Sequence, residues 1–275
     1  MIVLIIRANV AGCAIVRCAV VGHVEWVEFA RVPEMPQAGA IVHADGTQSE
    51  PAGGGAVVAR QLALLAGRCE LFTALGADEL GRTAQRRLAE LGIDVHVQWG
   101  GETRRAWTHV DGAGERTITV LGDKLLPQSP LPLQGYDLVF FVSGTPEALR
   151  DARSGRFLAA TLREQPTLRA AGIPFDLIAG SLNDPGEHYD GSLEVTTVVL
   201  TDGPNGGTAN GAPFAAVPAE KVVDTYGAGD SFGAALAFGL ARGDTLDAAL
   251  ALATRAGASV LGGLGPYETQ LTLEE

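Results

Sequence analysis

Short apolar runs, several ending in glycine and each followed by a helical stretch, constrain this chain more than any other feature. Cys18–Val21 stops at Gly22, Cys69–Leu75 at Gly76, Tyr136–Val142 at Ser143-Gly144 and Phe175–Ala179 at Gly180. Ile93–Val97, Arg156–Thr161 and Val195–Leu200 read as further strands. Between them the spacing predicts helices over Ala56–Ala66 closed by Gly67, Arg82–Leu91 closed by Gly92, a stretch from Pro146, and Arg163–Ala171. Two more follow, one from Phe232 to about Leu240 and one from the Asp244–Asp247 cap to about Ala258. Strands that are apolar throughout are covered on both faces, and strand–helix alternation makes neighbouring strands parallel. The expected fold is therefore α/β, a three-layer α/β/α sandwich around a mainly parallel sheet. In a chain of 275 residues, 47% hydrophobic and 19% charged, the core is large enough to hold it.

Two excursions break the rhythm. Residues 29–50 are polar and rich in turns, with Ile41–Ala44 as an expected strand. Residues 100–120 read as a hairpin, Ala106–Val110 and Glu115–Val120 around Asp111-Gly112-Ala113-Gly114. Whether the hairpin extends the main sheet or a separate one is open at this stage. The apolar opening Met1–Ile6 is interrupted by Arg7 and Arg17 and is too short to span a bilayer. We expect residues 1–17 to be an N-terminal extension and 18–275 a single domain. Cys13, Cys18 and Cys69 form no Cys-x-x-Cys pair, which fits reduced thiols in a cytoplasmic protein. A net charge of −12 argues against nucleic acid or an anionic membrane as partner.

Chemistry concentrates in Asp224-Thr225-Tyr226-Gly227-Ala228-Gly229-Asp230-Ser231-Phe232. Two glycines around an alanine let successive N–H groups turn to one point at the start of a small-residue helix, a setting that suits an anion. Asp230, in the first helical turn, could take a proton from an attacking hydroxyl. A capped helix behind a glycine turn is the plainer alternative. No Gly-x-x-x-x-Gly-Lys occurs, so this is not a P-loop protein, and no Gly-x-Gly-x-x-Gly follows an early strand as a dinucleotide fold requires.

Asp-Thr-x-Gly-Ala-Gly-Asp-x-Phe at Asp224–Phe232 resembles the C-terminal signature of the ribokinase-like (PfkB) family of carbohydrate and nucleoside kinases. Gly53-Gly54-Gly55 opening the first long helix resembles the family's N-terminal glycine motif. The resemblance implies a ribokinase-like fold with a small β lid at the two excursions, and phosphorylation of a sugar-like alcohol by ATP with Mg2+. It implies Asp230 as base and the amides of Gly227, Ala228 and Gly229 as anion hole. It places Thr201, Gly203, Gly206 and Gly263 against the nucleotide, and Glu25, Gly53, Gly54 and Gly55 against the acceptor. Asp184 and Glu187 stand where relatives carry an Asn-x-x-Glu pair serving magnesium, and Asp224 where a monovalent cation such as K+ is bound. The chain departs from the family at Val27 and Val57, in place of an Asp and an Asn that contact the sugar, so the acceptor is not expected to be ribose itself. A nucleoside kinase, with Trp26, Trp99 or Trp107 supporting a base, and a non-catalytic nucleotide-binding relative are the competing readings. A homodimer through the lid is also implied. Arg104, Arg105 and Arg116 could reach an anion, though at least two of them read as surface arginines.

Overall fold

The computed structural model describes residues 16–273; the segment read as an extension, with Cys13, falls almost wholly outside them. Nine strands form the main sheet: β1 (Cys18–Val21), β4 (Cys69–Leu75), β5 (Ile93–Trp99), β8 (Leu138–Phe141), β9 (Phe157–Thr161), β10 (Phe175–Ser181), β11 (Val195–Thr201), β12 (Gly207–Ala209) and β13 (Ala212–Phe214). Their order is β13-β12-β11-β10-β9-β8-β1-β4-β5. All pairings are parallel except those of β12 and β13 at one edge.

Period-two alternation sorts the core. On β1, Cys18 and Val20 join the side chains of helices α1 (Gly54–Ala66), α2 (Glu79–Glu90), α5 (Ala228–Arg242) and α6 (Leu246–Val260). Ala19 and Val21 point the other way, into a second core with α3 (Pro146–Ala152) and α4 (Gln165–Ala171). The molecule is thus the three-layer α/β/α arrangement expected. Helix α2 starts earlier than its apolar pattern suggests, because Asp78 caps it: its Oδ1 accepts the Gly81 N–H at 2.8 Å. Among the described residues no helix is long and apolar enough to cross a membrane. Cys18 and Cys69 are buried free thiols.

A second sheet, ordered β3-β2-β6-β7, is built from β2 (Glu25–Arg31), β3 (Gly46–Ala52), β6 (Arg105–Val110) and β7 (Arg116–Leu121). The hairpin β6–β7 therefore belongs to this sheet, joined to β2 by parallel pairing. Ile41–Ala44 is not a strand: it has no pairing partner, and Ile41 is 89% exposed. The strand lies just beyond it, where Gly46–Ala52 pairs antiparallel with β2. Val27, Phe29, Ala52, Val57, Ala106 and Tyr226 form a small third core that seats this sheet on the main body.

Candidate active site

In an open parallel sheet the crevice lies beyond the carboxyl ends of the strands, where successive strands depart in opposite directions. Here that point is between β1 and β8. The chain runs from β1 outward to β4 and β5, then returns to β8 and continues to β11 on the other side. At their ends, the His23 N–H donates to Ser143 Oγ at 2.9 Å, and His23 Nδ1 lies 3.0 Å from the same oxygen. Burial first, then Lys124 and Arg104, lower the His23 pKa to about 3, so its imidazole is neutral.

The three glycines of the N-terminal motif have different tasks. Gly53, at φ +89°, turns the chain into α1, and its N–H donates to the Tyr226 hydroxyl at 3.1 Å. A Cβ on Gly54 would lie 3.0 Å from Asp230 Oδ1 and 2.8 Å from Val142, so this residue leaves room for the carboxylate. Gly55 faces away from the crevice: a Cβ there would meet the His23 carbonyl at 2.6 Å, and its role is the close crossing of α1 over β1.

Asp230 stands at the start of α5 and is neither sealed in the interior nor fully exposed. Burial raises its pKa above the usual carboxylate value, while Arg116 and Arg163 pull it back. Gly227, at φ +81°, precedes the helix, and the space beside Gly229 is open to at least 4 Å. Ala228 reaches only Thr225 O, at 3.4 Å, and the amides of Gly227 and Gly229 make no hydrogen bond among the described residues. Free amides and a helix N-terminus beside a carboxylate can receive an anion next to a base.

On the far side of Asp230, the expected Asp184 and Glu187 meet, with Arg163 between them. Arg163 Nε is 3.1 Å from Glu187 Oε1, and its Nη2 bonds Asp184 Oδ2. Glu187 also accepts the Ser181 N–H at 2.8 Å, and burial raises its pKa despite Arg163. Both carboxylates are hard oxygen donors of the kind Mg2+ takes, and here Arg163 engages each of them. Asp224 is different. It is wholly buried, and its two oxygens accept the amides of Tyr226 at 2.8 Å and Gly265 at 2.9 Å. It clasps the signature to the C-terminal loop, one amide on each oxygen.

Thr201 closes β11, with its hydroxyl on the Gly180 carbonyl at 3.2 Å, and Gly203 is exposed beside it. Gly206 is buried, with its N–H on the Gly203 carbonyl and its own carbonyl taking the Asp202 N–H, and a Cβ there would sit 2.0 Å from the Phe214 carbonyl, so the glycine permits the crossing of β13. Gly263 is likewise buried against Glu268. Glu25 lines the acceptor side, 6% exposed. Burial raises its pKa, against Arg104 and Lys124, and Arg104 Nε lies 3.1 Å from its Oε2. Val27 and Val57 are fully buried in the joint between the sheets and offer a ligand nothing polar. Trp26 and Trp107 turn to the face opposite Glu25 and Ala106, and Trp99 is 46% exposed at the end of β5. None of the three is placed to stack on a base beside Glu25. Arg163, Lys124 and Ser143 carry no motif of their own, and Tyr226 fills a variable position of the signature; only the fold brings them to the crevice.

The profile described as pfkB family carbohydrate kinase matches residues 16–149 and 184–272. The ATP-dependent ribose-1-phosphate kinase of Halopiger xanaduensis is 29% identical over 276 residues, covering 90% of this chain and 92% of that protein. The chain superposes on the ribokinase of Thermotoga maritima with a TM-score of 0.76 at 20% identity, over 94% of this chain and 97% of that one. The nucleoside kinase of Burkholderia thailandensis, solved in complex with inosine, gives 0.77 at 19% identity over 94% of each chain. At these identities the two structures attest the shared fold.

Proposed function

As the chain belongs to the pfkB family of carbohydrate kinases, we propose that it transfers the γ-phosphoryl group of ATP to a hydroxyl of a sugar or sugar-like acceptor, with Asp230 as general base. The observation that carries this reading is Asp230 beside Gly54 and the unengaged amides of Gly227 and Gly229, at the mouth of the crevice. Phosphoryl transfer asks for in-line placement and charge neutralisation more than covalent help. Gly227, Ala228 and Gly229 would present their N–H groups to the moving phosphoryl oxygens. Each such donor is typically worth about 3 kcal/mol in the transition state. Asp230, partly desolvated, would accept the acceptor's hydroxyl proton, a contribution on the order of 10²–10⁴-fold.

The nucleotide would lie along Thr201 and Gly203, at the ends of β10 and β11, with the acceptor on the β1–β8 side near Glu25 and Gly54. When bound, Mg2+ supplies positive charge to the phosphates, and Asp184 and Glu187 are the residues that would hold its hydration shell. Arg163 would remain near, a fixed positive charge within reach of Asp230. A nucleoside acceptor is the second reading, favoured by the fold shared with nucleoside kinases, although Trp26 and Trp107 face away from Glu25 and would not stack on its base. Asp230→Asn is expected to bind ATP normally in calorimetry and to lose turnover with every acceptor. Near-wild-type turnover in that variant would remove the base assignment.

A further inference from the structure

Ser143, just past the end of β8, is wholly buried, and the direction of its hydroxyl proton can be deduced. Its oxygen accepts the His23 N–H at 2.9 Å. Among the described residues, the other partner of that oxygen is His23 Nδ1, 3.0 Å away. A buried hydroxyl that donates to nothing is costly, so the proton goes to Nδ1. The ring is neutral, because burial, Lys124 and Arg104 lower its pKa to about 3. Nδ1 is then its lone-pair nitrogen, and the one ring proton sits on Nε2.

That Nε2 makes no hydrogen bond among the described residues, and His23 is only half-buried. The ring edge that carries it lies against Gly53, where a Cβ would be 3.1 Å from both Cδ2 and Nε2. Gly54, the next residue, is the one that leaves room for Asp230, so the Nε2–H stands on the acceptor's side of the base. The charged groups that bear on His23 are already engaged: Arg104 with Glu25 at 3.1 Å, and Lys124 with Glu164 at 2.6 Å. What remains free to bind is an uncharged donor of fixed direction.

We propose that His23 is a specificity-determining residue whose Nε2–H donates to an oxygen of the acceptor, with Ser143 as the positioning residue that holds the ring in this tautomer. This rests on the kinase reading above and adds a contact to it. A donor without charge selects on where a hydroxyl, carbonyl or ring oxygen lies, not on the acceptor's charge. The opposite tautomer would turn a lone pair toward the same oxygen and repel it. Gly53 takes part as well, since any side chain there would crowd this edge of the ring.

Nitrogen NMR of isotope-labelled protein reads the tautomer in the wild type without a ligand, with His23→Gln to assign the signal. A neutral ring protonated at Nε2 is expected at neutral pH, and Ser143→Ala should mix the two tautomers. A ring protonated at Nδ1, or an imidazolium, overturns the proposal. Steady-state kinetics with MgATP on ribose, ribose 1-phosphate, fructose and inosine then test the contact. His23→Asn keeps an amide near Nδ1 and nothing at Nε2. It should raise the acceptor KM ~10-fold with KM for ATP unchanged. In His23→Gln an amide nitrogen falls near Nε2 and should recover most of that loss. An equal rise in both KM values, or no difference between the Asn and Gln variants, overturns the contact and leaves the kinase reading standing. Absence of turnover with every acceptor overturns the kinase reading instead. Calorimetry with the same compounds then decides the contact: binding weakened in His23→Asn and regained in His23→Gln supports it, and binding that is absent or indifferent to both overturns it.

Discussion

At Asp230, burial and charge pull in opposite directions. Burial favours the protonated acid, and Arg116 and Arg163 favour the carboxylate. A general base must be ionised, so the acid limb of the kcat/KM profile should report this balance. Arg163→Ala removes a charge that lowers the Asp230 pKa. The limb should therefore move to higher pH, as initial rates across pH with saturating MgATP would register. Stability follows the opposite sign. The folded protein binds this proton more tightly than the unfolded chain, so ionisation at neutral pH costs stability that an amide would not. Asp230→Asn should thus raise Tm, by about 2–4 °C on the scale expected for a chain of this size, while turnover is lost. The signature around Asp230 was legible because its chemistry is contiguous: nine neighbouring residues carry the base, the turn and the helix start. Lys124 and Arg163 were not, because what distinguishes them from surface cations is a partner distant in sequence; Arg104 was only one of three candidate arginines, and its burial beside Glu25 singles it out. Gly206 and Gly55 show the reverse case. Both read as ligand contacts, and both are glycine because another backbone passes within van der Waals distance.

The N-terminus of α2 joins helix stability to the acceptor side. Asp78 caps the helix through Gly81 and, with the same carboxylate, fixes Thr103 beside Arg104. Hydrogen bonds from Thr103 and Gly81 hold its pKa low against the opposing effect of burial. This stabilisation is present above the ordinary carboxylate range and is lost as pH falls through the depressed value. Asp78→Ala should cost about 1–2 kcal/mol in urea unfolding. It should also raise the acceptor KM with little change in KM for ATP. An effect on unfolding alone would mean the cap does not position Arg104. The parallel strands and the helices of the main body were readable from period and glycine stops; the three-residue edge strands β12 and β13, too short to show a period, were not. The second sheet was less so: β3 is polar, pairs through its backbone and lacks an apolar pattern, so the eye falls on Ile41–Ala44 beside it.

For the molecule as a whole, the second sheet leaves its outer strand open. Every residue of β7 is exposed, and Trp107, Ile118, Val120 and Leu121 keep 40–48% of their surface in solvent. An open edge with apolar side chains invites pairing with another strand. We expect two copies to associate through this sheet, giving a dimer by light scattering that Ile118→Asp returns to monomer; an unchanged mass would exclude this edge. Within the small core that seats this sheet on the body, one ring ties the two glycine motifs together. Tyr226 meets Phe29 edge-on at 5.0 Å, lies under Arg116 at 5.8 Å, and takes the Gly53 N–H on its hydroxyl. That ring joins the loop before α1 to the turn before α5, the two elements on which acceptor and nucleotide would settle, so their binding is expected to be coupled. Each should tighten the other's Kd by the same factor. Calorimetric titration of a non-hydrolysable nucleotide, with and without acceptor, measures that factor, and Tyr226→Ala should bring it to unity.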